Sequence, residues 1–284
     1  MCFMDKILLY IAFFFFYSFI GWILECIWCT FSETRQAHRF VFINRGFLAG
    51  PLCPIYGCSA LSMTIFLQPF AHNLIIVFFL GIVVCDLVEY LTSYIMEKIF
   101  NARWWDYSNR FMNLHGRICL EHTVIWGILS VIFIRFINPS VTSLIQKIPQ
   151  QYFDIAIYVL LAIFIIDFLI AVIATIDINV LRSKIKSIRS ASLDDSDVEV
   201  VEVGSSGNNN VFERISDLKS KIKSISFPTR LHIKRILREY PSLKAQIRVQ
   251  LEELKDIPVD IKEELKDIQN EIKNRFLFDD DVMY

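Results

Sequence analysis

Apolar residues in this chain come in long blocks. Five stand out: Ile7–Phe31, Phe47–Leu67, Asn73–Met96, Ile118–Ile137 and Tyr152–Ile176. A helix needs about 20 predominantly apolar residues to cross ~30 Å of hydrocarbon, so each block predicts a transmembrane helix. A helix that is apolar all round lies either inside a large core or in lipid. Five of them in fewer than 180 residues leave no polar shell to enclose them, which points to lipid. The first block is expected to be retained. It is longer than the ~7–15 apolar residues of a signal peptide and is interrupted by Glu25.

Beyond the fifth block the pattern changes. Residues 190–210, SASLDDSDVEVVEVGSSGNNN, are rich in Ser, Asp, Gly and Asn and predict a flexible acidic linker. Helical signals then return. Pro241 suits the first position of a helix. Asp260 with Glu263 resembles a capping pair, and Ile261, Leu265, Ile268 and Ile272 follow at offsets 0, 4, 7 and 11. That stripe is too short for a coiled coil and could pack on an earlier tail helix, a second subunit or a partner. The expected architecture is an all-α polytopic membrane protein: a five-span domain over 1–189, a linker over 190–210 and a cytoplasmic helical tail over 211–284.

Composition sharpens this division. The chain is 54% hydrophobic, and 21 of its 25 Phe lie in residues 1–189. The net charge of −1 averages a body at +3 and a tail from 190 onward at −4. Such an uneven chain is not an ordinary soluble enzyme, a disulfide-stapled secreted domain or a disordered protein. Its seven cysteines lie mostly within the apolar blocks and form no disulfide framework. Cys26-x-x-Cys29 sits in an apolar helix without a second such pair, so small buried side chains explain it better than a zinc or redox site.

Orientation follows from short-loop Lys and Arg. The first loop holds Arg35, Arg39 and Arg45; the third holds Lys98, Arg103, Arg110 and Arg117; and Arg182, Lys184, Lys186 and Arg189 follow the fifth span. The second loop holds none, and the fourth only Lys147, with Arg135 near the preceding helix end. The N-terminus is therefore expected outside the cell membrane and the tail in the cytoplasm.

Several ionisable groups lie where apolar composition should exclude them, and such groups tend to mark function. Glu25 lies in the first span. Asp86, Glu89, Tyr90, Ser93 and Glu97 fall at offsets 0, 3, 4, 7 and 11, one stripe of the third. Asn44 and Arg45 precede the second span, and Arg117 and Glu121 open the fourth. All belong to the cytoplasmic half or its edge, and the acids could pair with Arg45, Arg103 and Arg117. Two readings fit equally: ion pairs that lock the bundle, or a water-filled polar cavity binding a substrate or partner. Asp167, midway along the fifth span, is a second deep acid with no evident companion.

The third loop, FNARWWDYSNRFMNLHG, carries Trp104, Trp105, Asp106 and Asn113. Its aromatics suit the membrane–water interface, as an anchor or as a lid over the cavity, and an interfacial helix or re-entrant segment is expected. The second span opens GFLAGPLCPIYG, with Gly46, Gly50, Pro51, Pro54 and Gly57. Helix starts broken in this way occur at transporter binding sites and also as simple kinks.

These motifs together carry a resemblance. GW-x-x-E at Gly21–Glu25, NRGFLAGPLCPIYG from Asn44, EYLTSYIMEKIFNARWWDYS from Glu89 and NLHGRICLE from Asn113 resemble the bacterial membrane family described as putative ABC-transporter type IV. The tail segment RLHIKRILREYPSLK, from Arg230, is similar to a basic helix such proteins carry after the last span. The resemblance implies a permease-like subunit and brings no catalytic residue, metal or cofactor with it. No GxxxxGK[ST] phosphate loop is present, so a separate ABC ATPase would supply the energy.

Other partners follow from charge. Between Lys219 and Arg238 lie seven Lys or Arg and no acid, a pattern suited to an anionic inner leaflet and less to nucleic acid. A homo-oligomer is compatible with the apolar body. Two further functions stay open: a scaffold or regulator acting through its tail, and a membrane-embedded lipid-modifying enzyme using the acids with His115 or His122.

Overall fold

The computed structural model describes residues 3–37, 44–100, 103–194, 206–253 and 262–277. It divides into two compact units, Met1–Phe168 and Leu169–Tyr284.

Four helical stretches are long and apolar enough to cross a membrane: Lys6–Phe31, Leu74–Phe100, Leu120–Ile145 and Gln150–Ala191. They lie within α1 (Phe3–Ala37), α3 (Leu74–Phe100), α4 (Leu120–Ile132) with α5 (Asn138–Ile145), and α6 (Gln150–Asp194). The chain is a multi-pass membrane protein. Their apolar side chains face outward as well as inward: in an 18-residue apolar stretch of each span only 17–39% of the residues are buried within the protein, and Trp28, Ile75 and Ile155 are more than 60% exposed.

The second expected span is a shorter helix. α2 (Pro54–Leu67) has 14 residues, about 21 Å at 1.5 Å per residue, against the ~30 Å of a bilayer core. Residues 46–53 ahead of it are bent and irregular. Pro54 lacks the N–H that an interior helix position would need and so starts the helix, with Cys53 extended before it. The long run leading from α4 to α5 holds a wider turn, Phe133–Ile137. Pro139 explains it: its ring meets the preceding turn and its missing N–H leaves the ladder to widen.

Within the first unit α2 lies between α1 and α3, and α4 lies against α3. Gly57 makes the α1–α2 approach possible, because a Cβ there would come within 2.6 Å of the Phe14 carbonyl oxygen. Helical periodicity divides the run Phe13–Phe16: Phe13 and Phe15 are buried and Phe16 faces out. Phe14 and Phe15 meet Phe164 of α6 edge-on, with centroids 5.3 and 5.8 Å apart.

Residues 103–119 hold no helix. They form a loop closed by a two-residue antiparallel hairpin, β1 (Asn113–Leu114) against β2 (Ile118–Cys119). The expected interfacial helix gives way to local side-chain bonding, which competes with helix formation. Asn113 donates to the carbonyls of Ser108 (3.1 Å) and Arg110 (3.0 Å) and accepts from Gly116 N–H at 3.0 Å. Gly116 has φ +69°, and a Cβ there would lie 2.6 Å from Asp106 Oδ1, so the turn requires glycine.

The second unit packs the end of α6 with α7 (Ser206–Ser224), α8 (Phe227–Glu239), α9 (Pro241–Glu253) and α10 (Lys262–Phe276) around Ile178, Ile185, Ile215, Leu218, Ile236 and Ile268. Pro241 does open a helix. Leu265, Ile268 and Ile272 are buried; Ile261 and the capping Asp260 lie outside the described residues, as do Arg39 and residues 195–205 of the expected linker. Asp177, with its side chain 9% exposed, pairs with Lys221 at 2.6 Å.

Candidate functional site

The third-span stripe is helical and one face of it is inward: Glu89 and Ser93 are buried, with Asp86, Tyr90 and Glu97 half-buried. Glu25 stands well inside α1, which runs on to Ala37. Together these place two further acids of the first unit, Glu25 and Asp86, within electrostatic range of Glu89.

Their partners are neutral donors. Tyr56 Oη of α2 donates to Glu25 Oε1 at 2.8 Å. Thr123 Oγ1 of α4 donates to Asp86 Oδ2 at 2.6 Å, and Trp126 Nε1 donates to Glu89 Oε2 at 2.7 Å. The Tyr107 hydroxyl in the loop also bonds Glu89. Burial, then the nearby Glu89 carboxylate, push the Tyr107 phenol well above its ordinary range, so it stays a donor at any physiological pH. One oxygen of Asp86, Oδ1, is buried with no hydrogen-bond partner among the described residues. Tyr107 stacks on His122 with centroids 4.5 Å apart, and His122 Nδ1 lies 3.0 Å from Cys119 Sγ.

Part of the expected acid–arginine pairing is present at the rim. Glu97 pairs with Arg103 (3.0 Å) and with Arg117; Arg110 meets Glu121 at 3.4 Å. Hydroxyl and indole donors reach the deep acids. Arg117 lies over the rings of Tyr90 and Tyr94 at 5.4 and 5.6 Å. Tyr90 Oη lies 3.0 Å from His115 Nδ1.

The loop tryptophans have other contacts. Trp104 meets Phe47 edge-on at 5.6 Å, and Trp105 Nε1 donates to the Arg117 carbonyl at 3.0 Å. Asp106 accepts from the Ser108 hydroxyl and from its N–H at 2.9 Å, and these bonds, with Arg103 3.8 Å away, hold its carboxyl below the usual range. Asn44 accepts from Trp22 Nε1 at 2.7 Å, and Arg45 lies half-buried within electrostatic range of Cys53.

Asp167 has a definite role in this architecture. Irregular backbone in hydrocarbon must find hydrogen-bond partners inside the protein. Asp167 accepts from Gly50 N–H at 2.8 Å and from Ala49 N–H at 3.2 Å, while Cys53 N–H donates to the Ser18 carbonyl at 2.9 Å. The acid and the broken second segment explain each other.

Sequence reasoning missed Tyr56, Tyr107, Thr123 and Trp126. A signal existed in α4: Thr123, Trp126 and Ser130 fall at offsets 0, 3 and 7, a polar stripe facing that of α3. Among the described residues, no three His, Cys, Asp or Glu side chains are disposed to hold a metal ion.

No curated protein and no solved structure matches this chain. A family model does, over residues 12–172, more than half of the chain and the part that holds every group of the polar centre. The chain belongs to the family described as putative ABC-transporter type IV.

Proposed function

We propose that this protein is a permease-like transport subunit whose binding site is the polar centre at Glu25, Asp86 and Glu89, open toward the cytoplasm. The observation that carries the proposal is the grouping of acids from two helices, with Glu25 bonded to Tyr56 of α2 and Glu89 within electrostatic range of both Glu25 and Asp86, beside a buried Asp86 oxygen without a donor among the described residues. Broken helices with polar groups at bilayer depth are the usual construction of transporter sites. Asn44, Arg45, Tyr90, Ser93 and Glu97 would line the approach with Arg117 and Glu121, and Trp104, Trp105, Asp106 and Asn113 would form its cover.

The topology that suits this function has five crossings, the second made by α2 with the irregular segment before it. Counting it as a crossing keeps the basic first loop, the third loop and the stretch after α6 on one side, in the cytoplasm. A separate ATPase subunit would drive transport.

One observation favours a second function. Each deep acid already has a donor from the protein, as expected of a sealed lock in a scaffold or regulator acting through its tail. Cysteine labelling separates the two. A Thr123→Cys side chain would stand beside Asp86, whereas Leu87→Cys faces outward. A membrane-impermeant maleimide applied from the cytoplasmic side should modify Thr123→Cys and spare Leu87→Cys. Resistance of Thr123→Cys from both sides would eliminate the open cavity and leave the lock.

A further inference from the structure

Helix α8 has two faces of unlike chemistry. Thr229, His232, Ile233, Ile236, Leu237 and Glu239 are buried in the second unit. Phe227, Leu231, Lys234 and Arg238 fall at offsets 0, 4, 7 and 11 and form the opposite stripe. Its two apolar members are conspicuous for a folded tail: Phe227 is 67% exposed and Leu231 52%. Exposed Lys223 lies just before the helix, and no Asp or Glu occurs from Phe227 through Arg238. Glu239, with its side chain 1% exposed, pairs with Arg238 at 3.1 Å, and the Arg238 side chain remains 61% exposed.

We propose that this face of α8 docks on an anionic bilayer surface, with Phe227 and Leu231 inserted among the lipids and Lys223, Lys234 and Arg238 on their phosphates. A helix whose outer face combines large apolar side chains with cations, free of acids, has the pattern of an interfacial helix. Charge complementarity selects the occupant. A second copy meeting the same face about a twofold axis would set these cations against each other. Nucleic acid would satisfy the cations but leave Phe227 and Leu231 against water. Covalent continuity keeps the lipid at hand, since α6 runs unbroken from the membrane-spanning Gln150 segment into the second unit. The inference rests on the membrane body and not on transport.

Full-length protein in nanodiscs tests it, with phosphatidylcholine alone or mixed with phosphatidylglycerol, and a trace of acyl-chain photoreactive phosphatidylcholine in both. Labelling of the peptide bearing Phe227 and Leu231 is read by mass spectrometry against a lipid-facing α3 peptide. Labelling in the phosphatidylglycerol discs is expected, with a drop of at least about tenfold in phosphatidylcholine discs and in the Lys223→Glu, Lys234→Glu, Arg238→Glu variant. Lys223 and Arg238 are exposed and Lys234 is half-buried, and unchanged protease resistance of the tail would confirm that its fold survives the three changes. An unlabelled α8 beside a labelled α3, equal labelling in both lipids, or cross-linking of α8 to a second chain would each overturn the proposal. Both leaflets of the disc have one composition, so failure of the five-span orientation would not affect the result.

Discussion

A single carboxylate in mid-span is expensive unless its partner is built in, and Asp167 has its partner in the backbone. Its two N–H donors belong to residues that Gly50, Pro51 and Pro54 keep out of a helix. Truncation leaves both donors in an apolar setting at about 1–3 kcal/mol each. Asp167→Ala should therefore lower the melting temperature of the detergent-solubilised protein by several degrees, and Asp167→Asn, which keeps one oxygen, by less. An unchanged Asp167→Ala transition would mean the bonds are dispensable. Asp106 makes a different prediction. Its carboxyl is held low by Ser108, so the stability it adds to the loop is present above the unfolded value of ~3.9 and is lost as pH falls through the folded value. Amide protection factors over residues 103–119, corrected for the intrinsic pH dependence of exchange, should be unaltered down to about pH 5 and fall below ~4, while Asp106→Asn should remove that fall.

Elements pair through close contacts that composition does not reveal. The α1–α2 approach depends on Gly57 against the Phe14 carbonyl, and backbone there cannot give way as a flexible side chain would. Gly57→Leu should cost about 1–3 kcal/mol or more through overpacking, measured as lost monodisperse protein and a lower melting temperature, whereas exposed Cys58→Leu next to it should be nearly neutral. The same scale explains which features of the site could be read in advance. The acid stripe on α3 was legible because a 3.6-residue period is a local property. Its partners were not, because Tyr56, Tyr107, Thr123 and Trp126 reach Glu25, Asp86 and Glu89 only after helices far apart in sequence pack together. The rim pairs of Glu97 with Arg103 and Arg117 are closer in sequence and were foreseeable.

At the scale of the molecule, two compact units are linked by one continuous helix. The tail has a core of its own around Leu218, which is fully buried. Leu218→Asp should unfold the tail alone: limited proteolysis should release tail peptides at lower protease concentration while the melting of the membrane body stays within ~1 °C of the parent. A parallel loss of the body would show that the units fold as one.

Hydropathy alone determines that this is a helical membrane protein with a polar tail, because burying an apolar helix in lipid depends on composition and length and on nothing distant in the chain. Four of the five expected spans have that simple form. The second does not. Its prolines and glycines announce a break, but whether the freed backbone can be satisfied depends on a carboxylate more than a hundred residues away, at Asp167. The same holds for the polar centre: a sequence can place an acid at a depth, but only packing decides whether an arginine or a tyrosine reaches it.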